Sequence, residues 1–361
     1  MGKKIFVINP GSTSTKMGFF NDREKVFQTD LEHPLEELSK YADVLDQVEY
    51  RKSMVDMIMK EKSIKPEDLD CVVSRGGLIP GVKPGGYAVN EEMKKTIREG
   101  KASPHASNLG ALIAAELGEP IGIPVYIYDA PASDDIPEIA RITGWPMIKR
   151  RSISHMLNMK AKARILSEQN GKEYENLNFI VCHMGGGVTL SAHEKGNVID
   201  MVRDDEMVFA PERSGAAPAL RIVDECFDSG KTKKEILKTL RGKGGLAGHL
   251  GTTDAREVEN MIEKGDEKAL LVYQAMAYNI AKAIGAMAAV LKFDVDYIIL
   301  TGGVAYSKMI TGWITERVEK IAPVRIMAGE NELEALAMGA LRMIDGKEEA
   351  REYIYNSEFK I

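Results

Sequence analysis

The sequence contains little cysteine and no long apolar segment, and both absences exclude classes of protein. Its 361 residues include three cysteines, Cys71, Cys182 and Cys226, without the C-x-x-C spacing of a thiolate metal site. We therefore expect buried free thiols rather than disulfides. No apolar run approaches the ~20 residues that span a bilayer, and the run after Lys4 is too brief for a signal peptide. We expect a cytoplasmic protein without a membrane partner.

Positive charge is also scarce. The formal net charge is −6, and the basic clusters at residues 149–151 and 231–234 are short. Because nucleic-acid affinity comes from clustered Lys and Arg that neutralise phosphates, we expect no nucleic-acid partner. With 44% hydrophobic and 28% charged residues and no disorder-prone tract, the chain is typical of soluble globular proteins. Its length predicts two domains.

The stretch from Ile5 to Phe20 lacks a Walker P-loop but has other features of a phosphate site. A buried strand over Ile5 to Ile8 is broken by Asn9-Pro10-Gly11, and a second strand ends at Phe20. The turn of this predicted hairpin leads into a strand, not a helix. Backbone N–H groups, hydroxyls and an ammonium group would meet there, from Asn9, Ser12, Thr13, Ser14, Thr15 and Lys16. The turn binds a phosphate or is an ordinary polar turn.

A second pattern of strand, glycine turn and strand follows about 175 residues later. A strand over Asn178 to Cys182 runs into His183-Met184-Gly185-Gly186-Gly187, and Val188 to Ala192 leads back out. Such a recurrence is typical of a duplicated two-domain fold. Because glycines let backbone amides approach a ligand, two such hairpins across a cleft would hold both ends of a polyphosphate.

Charged side chains follow two other predicted strands, where open α/β sheets place ligand groups. Arg75 follows the strand over residues 70–73, and Asp129 follows the strand over residues 124–128. Arg213 lies in a turn, and His155 precedes a helical run. His105 binds a ligand or caps the helix that follows, and its position favours the cap.

Two further segments leave alternatives open. The glycine pair after the strand over residues 297–300 admits a nucleoside or only makes a tight turn. The run from Leu270 to Leu291 has apolar residues at helical spacing, which predicts a helix buried in a core or in a subunit interface.

Ten short segments together resemble one known family. From Phe6 to about Met343 they read INPGSTSTK, SRGG, SPHASNLG, YDAPASDDIP, RRSISH, CHMGGGVTL, ERSG, GTTDAR, LTGGV and NELEALAMGA, in the order of the acetokinase family, which includes acetate and butyrate kinases. The resemblance implies an α/β fold, the duplicated two-domain actin-like (ribonuclease H-like) ATPase fold, with the active site in the interdomain cleft. We expect an N-terminal domain over residues 1–152, a nucleotide-binding domain over 153–335, and residues 336–361 packed back on the first.

The resemblance also implies roles for single residues toward ATP or ADP and Mg²⁺. Asn9 and Glu332 would help to hold Mg²⁺, although Glu330 and Glu334 are within reach of the same register. The residues beside the terminal phosphates would be Ser12, Ser14 and Lys16. A second set would cradle phosphate, namely His183, Gly185, Gly186 and Gly187. The residues that bind ribose and adenine would be Asp254, Arg256, Gly302, Gly303 and Val304.

On the acyl side, the resemblance implies that Arg75 and Arg213 bind the carboxylate and the transferring phosphoryl group, with Asp129 and His155 close by. The substrate-binding set would be Arg75, Gly77, Pro104, His105 and Ser154. Acetate kinases usually have larger residues, Val, Leu and Phe, where this chain has Gly77, Pro104 and Ser154. The smaller residues predict a longer acyl pocket, unless other side chains refill the space.

The residues of two segments resemble those of the butyrate kinase branch. Acetate kinases usually read NAGSSSLK and HLGNG where this chain reads NPGSTSTK and HMGGG. The resemblance therefore implies reversible phosphoryl transfer from ATP to a short-chain carboxylate such as butyrate, by a homodimer or a larger homo-oligomer. The alternatives are an acetate, propionate or branched-chain fatty acid kinase and, from another class, an actin- or chaperone-like ATPase without the paired arginines and the histidine.

Overall fold

A computed structural model describes residues 2–356 of the chain. The strands are β1 (Lys4–Pro10), β2 (Ser14–Asn21), β3 (Glu24–Glu32), β4 (Cys71–Ser74), β5 (Gly86–Ala88), β6 (Val125–Tyr128), β7 (Asn178–Met184), β8 (Val188–Glu194), β9 (Asn197–Val202), β10 (Tyr297–Gly302) and β11 (Val324–Ala328). The helices are α1 (Leu35–Leu38), α2 (Val48–Glu61), α3 (Glu91–Arg98), α4 (Leu109–Gly118), α5 (Glu138–Arg141), α6 (Met156–Gln169), α7 (Ala219–Asp228), α8 (Lys233–Leu240), α9 (Gly245–Leu250), α10 (Ala255–Glu263), α11 (Glu267–Val290), α12 (Lys308–Val318) and α13 (Glu332–Ile344).

The chain forms two compact units. Of the described residues, unit 1 contains those up to Asp135 and those from Asn331 onward, and unit 2 contains Ile136–Glu330. The boundaries predicted from the sequence lay at 152/153 and 335/336 instead. The segment before residue 152 joins unit 2 because Arg150 forms ion pairs with Asp200 and Glu206. All of α13 joins unit 1 because this helix packs on β1, β4 and β6.

The sheet of unit 1 has the strand order β3-β2-β1-β4-β6-β5. The predicted first hairpin is confirmed, since β1 and β2 pair antiparallel with Ile8 opposite Met17. Strands β1, β4 and β6 run parallel, so their carboxyl ends lie at one edge of the sheet. Phe6 and Ile8, two residues apart, pack with α2 and α4 in one core. The opposite face is packed by α13, whose Leu333 lies near Gly18.

The sheet of unit 2 has the order β11-β10-β7-β8-β9. The second predicted hairpin is confirmed, since β7 and β8 pair antiparallel with Met184 opposite Val188. Strands β7, β10 and β11 are parallel, which brings His183, Gly302 and Ala328 to the same edge. Unit 2 therefore repeats the hairpin and the parallel strands of unit 1, as the duplication predicts.

Helix α11 and helix α7 bury very different shares of their side chains. The apolar side of α11 lies in the core of unit 2, where Tyr273, Met276 and Ile284 are fully buried. The core accounts for this helix, so its apolar sequence no longer supports a subunit interface. By contrast, α7 buries none of its side chains, and Leu220 and Phe227 on it are exposed.

Two expectations from the sequence concern the thiols, expected to be buried, and the lack of a segment long enough to cross a membrane. Cys71 and Cys182 are buried free thiols, as expected, but Cys226 is exposed because it lies on α7. The expectation that all three thiols are buried was therefore wrong. Within residues 2–356, no helix has the combination of length and apolar sequence that crossing a membrane requires.

Candidate active site

In unit 1, four polar residues lie at the carboxyl edge of the sheet or beside it. Asn9 lies near the end of β1, Arg75 follows β4, and Asp129 follows β6. Glu332 begins α13 and joins two of them: the Asn9 side-chain amide donates to Glu332 Oε2 at 2.7 Å, and Arg75 Nη1 lies 2.7 Å from Glu332 Oε1. The structure thus brings together Asn9, Arg75 and Glu332, which are far apart in sequence.

The three acidic residues proposed for the metal side have different partners. Glu332 binds Asn9 and Arg75 as described. Glu334 pairs with Lys25 at 2.7 Å, and Glu330 belongs to unit 2, where its Oε1 lies 3.1 Å from His183 Nε2. Of the three, Glu332 is the one that contacts Asn9.

The residues around Glu332 are compatible with Mg²⁺. Among residues 2–356, no group of three or more His, Cys, Asp and Glu side chains forms a ready metal cluster. Mg²⁺ is commonly bound through only one or two protein carboxylates, with waters and substrate phosphates completing its coordination. The carboxylate of Glu332 and the amide oxygen of Asn9 are oxygen ligands of this kind. The pair therefore fits a metal ion that a nucleotide brings with it.

The turn between β1 and β2 is held from behind by an arginine that the sequence analysis missed. Arg51 of α2 is completely buried. Its Nη1 donates to the carbonyls of Gly11 at 2.9 Å and Ser14 at 3.1 Å, and its Nη2 donates to the carbonyl of Ser12 at 3.0 Å. Nothing in the local sequence of α2 distinguishes this arginine, because its partners lie about 40 residues away.

The same turn presents several unused donors. Among the described residues, the backbone amides of Ser12 and Thr13 have no hydrogen-bond partner, and both residues are exposed. The hydroxyls of Ser12 and Ser14 and the ammonium group of Lys16 are likewise without a protein partner in this part of the chain. A turn with these donors fits an anion such as a terminal phosphate.

Asp129 is buried and has an unusual backbone conformation. Its φ is 41°, in the left-handed region that non-glycine residues rarely adopt. Its carboxylate accepts a hydrogen bond of 2.7 Å from the amide of Gly85, whose carbonyl accepts from the Asp129 amide at 3.1 Å. These bonds fix the carboxylate at the end of β6. Residues held in such conformations cluster at functional sites.

The space beside Gly77 is not an open pocket. A Cβ atom at Gly77 would lie 1.9 Å from Asn108 Oδ1. That Asn108 oxygen accepts from the Leu78 amide, and its side-chain nitrogen donates to the Ser103 carbonyl, both at 2.8 Å. The pocket predicted from a small residue at this position is therefore wrong in this part, because Asn108 fills the space.

His105 and Pro104 lie next to that loop. The prediction that His105 caps a helix is confirmed, since its Nδ1 accepts from the Ser107 amide at 3.2 Å. Burial, and after it the charge of Arg75, lowers the pKa of His105. His105 and Arg75 both belong to unit 1.

In unit 2, two histidines stack on each other. The rings of His155 and His183 are parallel within 7°, with their centroids 3.7 Å apart. His155 Nδ1 lies 2.9 Å from the hydroxyl of Thr189, and His183 Nδ1 lies 3.0 Å from the amide nitrogen of Asn158. If Thr189 donates to Nδ1, the proton of the neutral His155 ring is on Nε2, where it can be donated to a ligand.

The glycine turn after His183 is fixed by backbone bonds. The Gly185 amide donates to the Gly187 carbonyl at 2.9 Å, and the Glu212 amide donates to the Gly186 carbonyl at 3.0 Å. The facing loop after β10 begins with Gly302, whose φ is 86° and whose Cβ would lie 2.4 Å from the Met184 carbonyl oxygen. Only glycine fits there, which brings the loop of Gly303 and Val304 against β7.

Arg213 is held by two acidic side chains of unit 2. Its Nε lies 3.2 Å from Asp204 Oδ2, and its Nη1 lies 3.2 Å from Glu212 Oε2. Both carboxylates orient the guanidinium. Ser154 is buried, and its hydroxyl has no hydrogen-bond partner among the described residues.

Asp254 and Arg256 form a pair at the start of α10. Asp254 caps the helix by accepting from the Arg256 amide at 2.9 Å, and its carboxylate binds the Arg256 guanidinium at 2.6 Å. The hydrogen bond from the Arg256 side chain lowers the pKa of Asp254 to about 2. The guanidinium of Arg256 is largely exposed, so the pair is open to a ligand.

Comparison with known proteins gives three matches to the sequence of this chain. The model of the acetokinase family matches residues 150–326. Butyrate kinase 2 of Clostridium acetobutylicum is 44% identical over 352 residues, 97% of this chain and 99% of the relative. A probable butyrate kinase 2 of Caldanaerobacter subterraneus subsp. tengcongensis is 45% identical over 351 residues, with the same coverage.

Among solved structures, the acetate kinase of Porphyromonas gingivalis matches with a TM-score of 0.79 at 18% identity, over 95% of this chain and 100% of the other. This similarity confirms the two-domain actin-like ATPase fold.

Proposed function

Because this chain belongs to the acetokinase family, in its butyrate kinase branch, we propose that it is a butyrate kinase. It reversibly transfers the γ-phosphoryl group of ATP to butyrate, giving butanoyl phosphate and ADP. What carries the proposal is the identity of 44% with a butyrate kinase along nearly the whole chain. The joining of Asn9, Arg75 and Glu332 at one sheet edge supports it. We place the reaction in the cytoplasm, where ATP is available.

The chemistry starts from an anionic nucleophile. A carboxylic acid with a pKa near 4 to 5 is ionised at neutral pH, so butyrate needs no general base. Its carboxylate oxygen forms a bond to the γ-phosphorus while the bond from that phosphorus to the bridging oxygen breaks. The electron pair of the broken bond stays on the β-phosphate of ADP. The enzyme must therefore mainly offset the repulsion between two anions.

Three cationic residues and a histidine are assigned to that task. Arg75 binds the carboxylate and the transferring phosphoryl group together with Arg213, and Lys16 neutralises the terminal phosphates. His155 donates a hydrogen bond to the equatorial phosphoryl oxygens from Nε2. Asp129, which is fixed to Gly85, positions the acyl side and takes no proton.

Asn9 and Glu332 would hold Mg²⁺. The ion would supply positive charge to the β- and γ-phosphates during transfer. Arg75, which is bound to Glu332 in this structure, would then exchange part of that contact for the substrate carboxylate.

The remaining residues are assigned to the nucleotide. The hydroxyls of Ser12 and Ser14 bind the terminal phosphates, and a second group of residues binds further phosphate oxygens, namely His183, Gly185, Gly186 and Gly187. The nucleoside is bound by Asp254, Arg256, Gly302, Gly303 and Val304. Pro104, His105 and Ser154 line the acyl side, with Arg75. Gly77 contributes by leaving room for the side chain of Asn108 against its backbone. It does not open space for the acyl chain.

The experiment that tests the function is the formation of acyl hydroxamate from ATP, a carboxylate and hydroxylamine, with straight and branched acids of two to six carbons. We expect the highest kcat/KM for butyrate. Two extra buried methylenes are worth ~1.6 kcal/mol, or roughly fifteen-fold over acetate. A maximum at acetate, propionate or a branched acid would support the corresponding kinase instead. ATP hydrolysis without hydroxamate would support the actin- or chaperone-like ATPase.

We also propose that the protein is a homodimer or a larger homo-oligomer. Since α11 is explained by the core, the supporting surface is α7, where Leu220, Val223 and Phe227 lie on one helical face and are 50% to 81% exposed. Light scattering at micromolar concentration tests this proposal. We expect a dimer or more for the wild type, and a smaller species for Phe227→Glu. A wild-type monomer would refute it.

A further inference from the structure

Arg51 has no role in the reaction described above, yet its environment is unusual. We propose that Arg51 is a positioning residue for phosphate binding, which fixes the β1–β2 turn from behind and places a permanent positive charge there. This inference rests on the proposed function, because that function places the terminal phosphates of ATP at this turn. It adds a residue from α2 that does not itself touch the nucleotide.

The guanidinium of Arg51 has neutral partners only. Besides the three turn carbonyls, Nη1 donates to Thr15 Oγ1 at 3.2 Å, and both Nε and Nη2 donate to Gln47 Oε1, at 3.1 and 3.0 Å. Among the described residues, no carboxylate forms an ion pair with Arg51. By contrast, Arg342, a partly buried arginine of unit 1, pairs with Glu348. Arg51 is therefore a fully buried cation without a counter-ion among residues 2–356.

Such an arrangement is costly unless an anion offsets it. Burying a charge removes its hydration, and carbonyl oxygens replace only part of that hydration. Burial lowers the pKa of Arg51, but an arginine stays protonated in proteins. A phosphate bound to the front of the turn would supply the missing negative charge.

The bonds of Arg51 also decide which backbone groups are left for a ligand. Arg51 occupies the carbonyls of Gly11, Ser12 and Ser14, and the His33 amide donates to the Thr13 carbonyl at 2.7 Å. All four carbonyls of the turn thus accept hydrogen bonds from other groups of the protein. The amides of Ser12 and Thr13, which are donors for an anion, remain without a partner in the described part of the chain.

The test compares two ligands that differ in the terminal phosphates. Binding of Mg·ATP and of AMP is measured by calorimetry for the wild type, Arg51→Met and Arg51→Lys. We expect Arg51→Met to weaken ATP binding at least ten-fold and Arg51→Lys to weaken it by a smaller factor, because lysine keeps the charge but not the fork of donors. AMP affinity should stay within two-fold, and so should the KM for butyrate.

Arg342→Met is the matched control, since this arginine belongs to unit 1 and lies away from the turn, bound to Tyr128 and Glu348. We expect it to leave the ATP affinity unchanged. If Arg51→Met does not fold, Arg51→Lys decides the matter. ATP affinity within two-fold of the wild type, or an equal loss of ATP and AMP affinity, would overturn the inference. Wild-type protein that binds ATP but forms no acyl hydroxamate would refute the proposed function and leave this test intact.

Discussion

The two hairpins both pair their strands antiparallel, but their turns are held in different ways. In unit 1, the turn carbonyls accept hydrogen bonds from the buried guanidinium of Arg51. In unit 2, the turn carbonyls accept hydrogen bonds from backbone amides, those of Gly185 and Glu212. A side chain added at Gly186 would meet the carboxylate of Glu212 at 3.2 Å. One turn thus has a cation behind it, and the other has an acidic group beside it.

The difference teaches that a duplicated hairpin can keep its strand pairing while the bonds and the electrostatics of its turn change. Hydroxyls, an ammonium group and a buried cation make the first turn suitable for concentrated negative charge, such as terminal phosphates. The second turn has glycine amides and a histidine pair, which are proposed to bind phosphate through close approach and hydrogen bonds.

The largest effect is expected from the two arginines that are proposed to bind the transferring group. Arg75→Ala and Arg213→Ala should each lower kcat/KM by 100-fold or more, about 3 kcal/mol, because both guanidinium groups are proposed to bind charge that concentrates during transfer. Circular dichroism should show that both variants are folded. Arg164→Ala, which breaks an ion pair with Glu175 elsewhere in unit 2, is the control and should change kcat/KM little. Near-normal activity of both variants would contradict the assignment.

A second effect concerns stability and the fully buried His193 of unit 2. Its Nδ1 lies 2.7 Å from the Tyr174 hydroxyl and its Nε2 2.6 Å from the Ser191 hydroxyl. Burial, aided by the charges of Lys160 and Arg164, lowers the pKa of His193 to about 3. Because the unfolded chain binds this proton near pH 6.5, the stabilisation is present above pH 6.5 and is lost as the pH falls toward 3.

Urea unfolding at pH 7 and pH 5 measures this loss. His193 should account for about 2 kcal/mol of the decrease in the free energy of unfolding between the two values. His193→Asn should remove that share, whereas substitution of the exposed His249 by Asn should not. In unit 1, burial and the Arg51 charge lower the pKa of His33 to about 4, so acid sensitivity should remain there. An unchanged pH dependence in His193→Asn would refute the prediction.

A third effect separates the two turns directly. Gly187→Ala and Gly11→Ala both have room for the added methyl group, since its nearest neighbours would lie at 3.5 Å. In unit 2 the methyl group would keep the phosphate from the backbone, so we expect a KM for ATP about ten-fold higher, or ~1.4 kcal/mol. Gly11→Ala should change it by less than three-fold, because hydroxyls and charges are proposed to bind the phosphate there. Equal effects would remove the contrast.

The smallest effect is expected from one hydroxyl of the first turn. Ser12→Ala should raise the KM for ATP about five-fold, which corresponds to ~1 kcal/mol for one hydrogen bond. The control is Ser53→Ala, which removes a bond from an exposed serine to the Tyr50 carbonyl on α2 and should leave the KM unchanged. A KM that does not change in Ser12→Ala would mean that this hydroxyl does not bind the nucleotide.

Local signals in the sequence predicted much of the fold. Both hairpins are visible as apolar runs broken by glycine turns, and the capping position of His105 is visible from its place before a helical run. Arg75 and Asp129 were found because each directly follows a buried strand. These features depend on residues that are neighbours in the chain, so a single sequence is enough.

What the sequence could not predict depends on contacts between distant residues. Arg51 looks like any charged residue of an amphipathic helix until the turn is folded against it. Gly77 suggests an open space until Asn108, about 30 residues away, is placed there. The unit boundary also depends on distant partners, because Arg150 belongs to unit 2 through its ion pairs with Asp200 and Glu206.

The uneven burial of the three cysteines has a practical consequence for labelling. Burial raises the pKa of Cys71 to about 12 and also raises the pKa of Cys182, so neither is a reactive thiolate near pH 7.5. Cys226 is exposed on α7. A maleimide dye should therefore attach once per chain, next to the face proposed to bind a second copy. Its fluorescence would report the concentration at which chains associate, without any engineered cysteine.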